Sequence, residues 1–383
     1  MVLNNKMGTR HLSSLSSLTI DGVLDLKSLP NGFMQHLTTV QKLNICRCRE
    51  LTVLLENEIG VDLLPSGLQR LSISSCDNLR KLPKSTSNLP CLKELIIDGA
   101  RGLTSLPEGL LHNLISLKKF VIKGCAALVS CPEIGLSTTL RQLEIGDCEN
   151  LDSLPKELHT LTSLQELNIT SCPAIVSFPE TRLPIALQKL QIKDCQKLES
   201  LPKELHTLTS LQKLEITSCP AIVSFPETRL SIALRKLKTR DCKNLESLPI
   251  GLLHNLTSLQ SLSLYGYPIL NSLPDGLDKL MSLQSLQIRE CPALESLPDM
   301  GLPTALLELS IRRCGKLNFS PKELHKLTNL KKLEIVECSS LMDFNNQESL
   351  LFEIRNLTTL QSLTIGGCPT LVSIPKGILP SNL

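Results

Sequence analysis

One pattern governs this chain of 383 residues: LxxLxIxxCxxLxxLP, returning at close to even intervals along most of its length. It is plain in Leu164-Gln165-Glu166-Leu167-Asn168-Ile169-Thr170-Ser171-Cys172, followed by Ile175, Phe178 and Pro179. First positions fall at Leu15, Val40, Leu68, Leu92, Leu117, Leu140, Leu164, Leu187, Leu211, Leu234, Leu259, Leu283, Leu306, Leu330 and Leu360, which makes 15 copies. From 15 to 360 is 345 residues over 14 steps, a mean period of about 24.6. A fixed period of this length marks stacked units that bury one another's apolar faces, not a mixed globular core.

Each part of the motif has a physical reason. The alternation in LxLx or LxIx predicts a strand with one face buried and one open. Stacked in parallel, successive strands set their buried residues in columns of Leu, Leu and Ile. Proline at the sixteenth position, as at Pro155, Pro202, Pro249 and Pro298, occurs in 13 of 15 copies. It fixes φ and cannot donate to a ladder, so it ends the inner segment and turns the chain outward. Outer segments such as KELHTLTSL, EGLLHNLISL and DGLDKLMSL are too short for long helices and predict one or two turns of α or 3-10 structure. The period lies within the leucine-rich-repeat range of about 20 to 29 residues. The expected fold is an α/β solenoid of about 15 repeats, a horseshoe or arc with a parallel concave sheet and short convex helical or 3-10 segments.

Composition agrees with that fold. Leucine supplies 83 residues, while aromatics are 2% with no Trp, so the core rests on branched aliphatics. Forty Lys and Arg against 37 Asp and Glu leave a net +3, too balanced for a general nucleic-acid binder. The start, MVLNNKMGTRHLSSLSSLTI, has neither an apolar h-region nor a small-residue cleavage site. No run of about 18 apolar residues exists, so the expectation is a cytoplasmic chain without a membrane span and with reduced thiols. Twelve of the 15 cysteines occupy the ninth motif position: Cys48, Cys76, Cys125, Cys148, Cys172, Cys195, Cys219, Cys242, Cys291, Cys314, Cys338 and Cys368. A small, weakly donating thiol there suits a buried turn facing backbone carbonyls. Val23, Ala100 and Tyr267 replace it in the remaining three copies.

Residues 1–14 form a polar lead, and 15–383 form one repeat domain that stops inside a sixteenth copy, with Leu383 at its first Leu position. Longer steps around Glu56-Asn57-Glu58-Ile59-Gly60 and Asn345-Asn346-Gln347-Glu348 predict surface insertions. Residues 153–186 return at 200–233 with three differences, Glu166→Lys213, Asn168→Glu215 and Pro184→Ser231, and the first two lie at open strand positions.

The motif, with phrases such as LTSLQSLQIRECPALESLPDMGLPTALLELSI, resembles the C-terminal repeat region of plant coiled-coil-class nucleotide-binding leucine-rich-repeat disease-resistance proteins. The resemblance covers about residues 15–383 and implies non-enzymatic recognition of a pathogen effector, or of a host protein altered by one. It also implies restraint of a nucleotide-binding domain. That domain is absent here: Gly315-Lys316-Leu317 lacks the upstream Gly and the Ser/Thr of a phosphate loop. A free-standing scaffold, or a ubiquitin-ligase substrate-receptor adaptor, is the alternative role.

No catalytic constellation and no cofactor or metal motif emerges. His36, His112, His159, His206, His254 and His325 share one place in the outer segment, mostly in alternate copies. At about 10 Å apart they are too distant to share an ion. The open face is more informative. The five x positions of LxxLxIxx hold 20 Lys and Arg and 13 Asp and Glu, a net +7, against 20 and 24, a net −4, elsewhere. The clearest column is Lys123, Lys193, Arg240, Arg289 and Arg312, thickened by Arg235, Lys236 and Lys238 where Thr239 replaces the motif Ile. Such a stripe would steer an acidic protein ligand, although interspersed Asp194, Asp241 and Glu290 also suit an ordinary solvated face. Tyr265 is the one tyrosine at these positions, either a binding anchor or a lone exposed ring.

Overall fold

The computed structural model describes residues 14–30, 32–34, 37–56, 63–131, 138–225, 229–249, 251–297, 301–318, 324, 326–342 and 353–367. The lead, most of both insertions, the start of the sixteenth copy, Cys368, His36 and His325 lie outside them. The chain forms two compact units, Met1–Ile175 with Pro179–Pro184, and Val176–Phe178 with Ile185–Leu383.

The first unit carries β1 (Ser17–Asp21), β2 (Lys42–Cys46), β3 (Arg70–Ser74), β4 (Glu94–Asp98), β5 (Lys119–Lys123), β6 (Gln142–Gly146) and β7 (Glu166–Thr170). These pair in parallel, each with the next. The second unit carries β8 (Lys189–Lys193), β9 (Lys213–Thr217), β10 (Lys236–Arg240), β11 (Ser261–Tyr265), β12 (Ser285–Arg289), β13 (Glu308–Arg312), β14 (Lys332–Val336) and β15 (Ser362–Gly366). They pair in the same way. Every strand covers motif positions three to seven, and partners are equivalent residues: Leu237 faces Leu262 and Thr239 faces Leu264. A one-residue slip would turn the Leu and Ile columns outward, so burial itself fixes the register. Leu214, Ile216, Leu286, Ile288, Leu309 and Ile311 are fully buried. The result is a parallel-strand solenoid.

Position eight breaks the strand. Arg47, Ser75, Asp147, Ser171, Asp194, Ser218, Asp241, Glu290, Arg313 and Glu337 all take φ between 51° and 55°, and the other five copies place glycine there, as at Gly266 with φ 74°. The left-handed conformation costs about 1–2 kcal/mol for a residue with a Cβ. Two groups of bonds hold it. The position-eight N–H extends the ladder to the next strand, as Asp241 N donates to Tyr265 O at 2.8 Å and Glu290 N to Arg312 O at 2.8 Å. The following cysteine then closes the turn, its Sγ donating to the position-seven carbonyl: Cys148 to Gly146 O at 3.1 Å, Cys291 to Arg289 O at 3.3 Å. The expected buried turn facing carbonyls is therefore what the ninth-position thiols make. Position eight, read above as an open strand residue, is a turn residue.

Outer segments are turns and short 3-10 helices, as expected. Leu158–Thr160 and Leu205–Thr207 are such helices, each burying its leucine. In the first, Thr160 Oγ1 donates to Glu157 O at 2.8 Å. Among the described residues no helix is long and apolar enough to cross a membrane.

Candidate protein-recognition face

Positions three, five and seven of each strand form the open face. In the first unit, Lys123 of β5 pairs with Glu144 of β6 at 2.7 Å, and that carboxylate holds the Lys123 pKa above its usual value.

In the second unit the predicted basic column divides into two regimes. Over β12–β14 its cations are engaged by acids of the same face. Glu334 of β14, with its side chain 7% exposed, accepts from Arg312 of β13 and lies 3.5 Å from Arg289 of β12. Ser310 Oγ donates to the same carboxylate at 2.6 Å. Arg312 holds the carboxyl pKa down to about 2, against the opposing effect of burial. A second row lies alongside at position eight: Arg313 bridges Glu290 at 2.9 Å and Glu337 at 3.1 Å. Arg289 and Arg312 are thus framework residues as much as surface ones.

The β8–β11 region differs. Glu215 of β9 is the only acid on positions three, five and seven of β8–β10. It pairs with Lys238 at 2.8 Å and Lys213 at 3.0 Å. Burial pushes its carboxyl up, but the two ammonium groups outweigh burial and bring the pKa to about 2. Lys213 and Glu215 are the two open-face differences between the duplicated segments, so in the second copy the changed residues are each other's partners. Among the described residues, Lys193, Arg235 and Lys236 form no ion pair. Arg240 carries its guanidinium carbon 4.3 Å from the Tyr265 ring centroid. Its Nε donates to Asp241 Oδ2 at 3.0 Å, and the Tyr265 hydroxyl donates to Glu290 Oε1 at 2.9 Å. Tyr265 is therefore not a lone ring. Its contacts join β10, β11 and the turn after β12, which adjacency in sequence could not reveal.

Beneath this patch, Thr239 is buried in the Ile column and Tyr267 in the cysteine column. The Tyr267 hydroxyl faces Thr239 and Cys242, and neither its oxygen nor Thr239 Oγ1 completes a hydrogen bond of ordinary geometry. A small apolar cavity opens beside Thr239, lined also by Phe225, Leu237, Leu252, Leu262 and Leu264. His112, His159, His206 and His254 are exposed on the outer segments. Among the described residues no three His, Cys, Asp or Glu gather to hold a metal ion.

The sequence matches no protein-family model and none of the curated proteins. Solved structures do match. A leucine-rich-repeat protein of Leptospira interrogans is 25% identical, with a TM-score of 0.61 over 90% of this chain and 88% of that one. The leucine-rich effector YopM of Yersinia pestis is 22% identical, with a TM-score of 0.51 over 92% and 89%. The Drosophila Toll–Spätzle complex gives 18% identity and a TM-score of 0.69 over 92% of this chain and 47% of that one. The fold is that of a leucine-rich-repeat solenoid.

Proposed function

We propose that residues 15–383 form the recognition domain of a plant intracellular immune receptor. It acts without catalysis, in the cytoplasm, binding a pathogen effector, a host protein altered by one, or the receptor's own nucleotide-binding domain. Supporting this are the repeat phrases quoted above and the duplication, whose copies differ at two open-face residues and at one buried residue of the outer segment, Pro184→Ser231, while every motif Leu, Ile and Cys is kept. A face that varies over a fixed core suits changing protein ligands. The Toll–Spätzle complex, described as a hub in development and innate immunity, offers a protein-bound example of the fold. The candidate contact residues are Lys123, Lys193, Arg235, Lys236, Lys238, Arg240, Tyr265, Arg289 and Arg312.

The reading is tested by co-precipitation against secreted pathogen proteins co-expressed with the chain. Lys193→Glu, Arg235→Glu, Lys236→Glu and Arg240→Glu together should abolish capture with an unchanged circular dichroism spectrum. Outer-segment reversals Lys156→Glu, Lys203→Glu and Lys279→Glu should leave it intact. Capture that survives the first set or is lost with the second overturns the proposal.

A further inference from the structure

The +7 of the open face is unevenly spread. Counting the x positions belonging to each strand, β8–β10 hold seven cations (Lys189, Lys193, Lys213, Arg235, Lys236, Lys238, Arg240) against three acids (Asp194, Glu215, Asp241), a net +4 on 15 residues. Those of β11–β15 hold five cations against four acids, a net +1 on 25 residues. The structure adds which charges are already satisfied. Over β12–β14, Arg289 and Arg312 face the open-face carboxylate of Glu334, and Arg313 faces Glu290 and Glu337 in the position-eight row. Over β8–β10 the one open-face carboxylate, Glu215, is taken by Lys213 and Lys238.

Arg240 stands at the edge of this surplus and is held in place before any ligand arrives. The Tyr265 ring supports one side of the guanidinium, and Asp241 fixes its Nε. Its side chain is 47% exposed, and its two terminal amino groups have no acceptor among the described residues. A guanidinium fixed through Nε and its face offers its outer edge to a carboxylate without first losing side-chain freedom. Gly266 protects this arrangement, because a Cβ there would collide with the Asp241 carboxylate.

Resting on the proposal that this face recognises a protein, we infer that the recognition patch is confined to β8–β11 and takes an extended acidic segment, with Arg240 on Tyr265 as its anchor. Lys193 lies two strands from Arg240 in the same column, about 10 Å away by strand spacing. A segment in the extended polyproline-II conformation rises about 3.1 Å per residue with about three residues per turn, so carboxylates three apart lie on one side about 9 Å apart and reach both cations. A nucleic-acid strand fits less well: the chain outside the x positions of the 15 copies is net −4, and Asp194 and Asp241 would interrupt a continuous run of phosphates.

The test uses the full chain and a fluorescein-labelled 12-residue peptide with Glu at every third position, read by fluorescence anisotropy. The same peptide with Gln, and a 12-nucleotide oligo-dT, serve as comparisons. The Glu peptide should bind, weaken with salt, and lose about tenfold in affinity with Arg240→Gln and severalfold with Lys193→Gln or Tyr265→Ala. Lys331→Gln, the same charge change at an exposed residue beside β14, should leave affinity unchanged. Absence of Glu-peptide binding, equal losses from Arg240→Gln and Lys331→Gln, or oligo-dT binding as tight as the Glu peptide overturns the inference. If that happens while pathogen-protein capture still depends on the open face, the acidic segment falls and the recognition reading stands.

Discussion

Ser310 donates a 2.6 Å hydrogen bond to Glu334, a carboxylate on the neighbouring strand that also receives Arg312. A nearly buried acid with three donors is a buried charge compensated in place, and removing one partner strands the others. Glu334→Gln should cost about 2–3 kcal/mol at pH 7, within the usual range for a broken buried charge network. The folded carboxyl titrates near 2 instead of its ordinary 4.5. Stabilisation from a depressed carboxyl is complete above about pH 4.5 and disappears as pH falls towards 2. Urea unfolding at pH 7, 5 and 3 should show wild type losing stability over that range and the Gln variant losing less of it. Equal pH slopes would contradict this role.

Position eight makes a prediction about backbone alone. Ser218 sits at φ 54°, its N–H donating to Arg240 O at 2.8 Å. Ser218→Val should destabilise by about 1–2 kcal/mol, because a β-branched side chain tolerates the left-handed region poorly. Ser218→Gly should lie within about 0.5 kcal/mol of wild type, its relief of strain offset by added freedom in the unfolded chain. Thermal unfolding of the two variants checks this.

Thr239 carries a buried hydroxyl that completes no hydrogen bond. An unpaired buried hydroxyl costs about 1–3 kcal/mol. Removing both facing hydroxyls, Thr239→Val with Tyr267→Phe, should therefore raise stability by about 1 kcal/mol, read as a higher urea midpoint at constant m-value, whereas Thr239→Val alone leaves the Tyr267 hydroxyl without its polar neighbour and should gain less.

The thiols should divide by position. Cys91 is exposed, whereas the described ninth-position thiols are buried, and burial raises the Cys76 pKa to about 11. Iodoacetamide at pH 8 followed by peptide mapping should label Cys91 quickly. Cys76, Cys219 and Cys314 should be labelled only after unfolding, since alkylation needs an accessible thiolate.

Much of the fold was legible because the motif is a direct image of it. Leu at four, Ile at six and Cys at nine recur since each fills one column, and the strands begin and end at the same motif positions in every copy. Position eight was not legible as a turn, because Ser, Asp, Arg and Glu there look like solvent-facing strand residues. The signal that could have found it is five glycines at that one position. The candidate site was legible as a surplus of charge but not as a pattern of pairing. Residues such as Arg312 and Glu334 lie 22 apart in sequence and meet only because the register is unslipped. Lys193 and Arg240 look alike in sequence to Arg289 and Arg312. The difference lies in the acids that neighbouring strands bring beside them.

Zero-length carboxyl-to-amine crosslinking tests the recognition face most directly. The chain would be mixed with the Glu-every-third peptide, treated with a carbodiimide, digested and mapped. Linkage should concentrate on Lys193 and Lys236, which face solvent without ion-pair partners among the described residues. Little should appear on the outer-segment Lys156, Lys203 and Lys279. Crosslinks favouring those outer lysines, or spread evenly over all five, would contradict recognition through the open face of β8–β11.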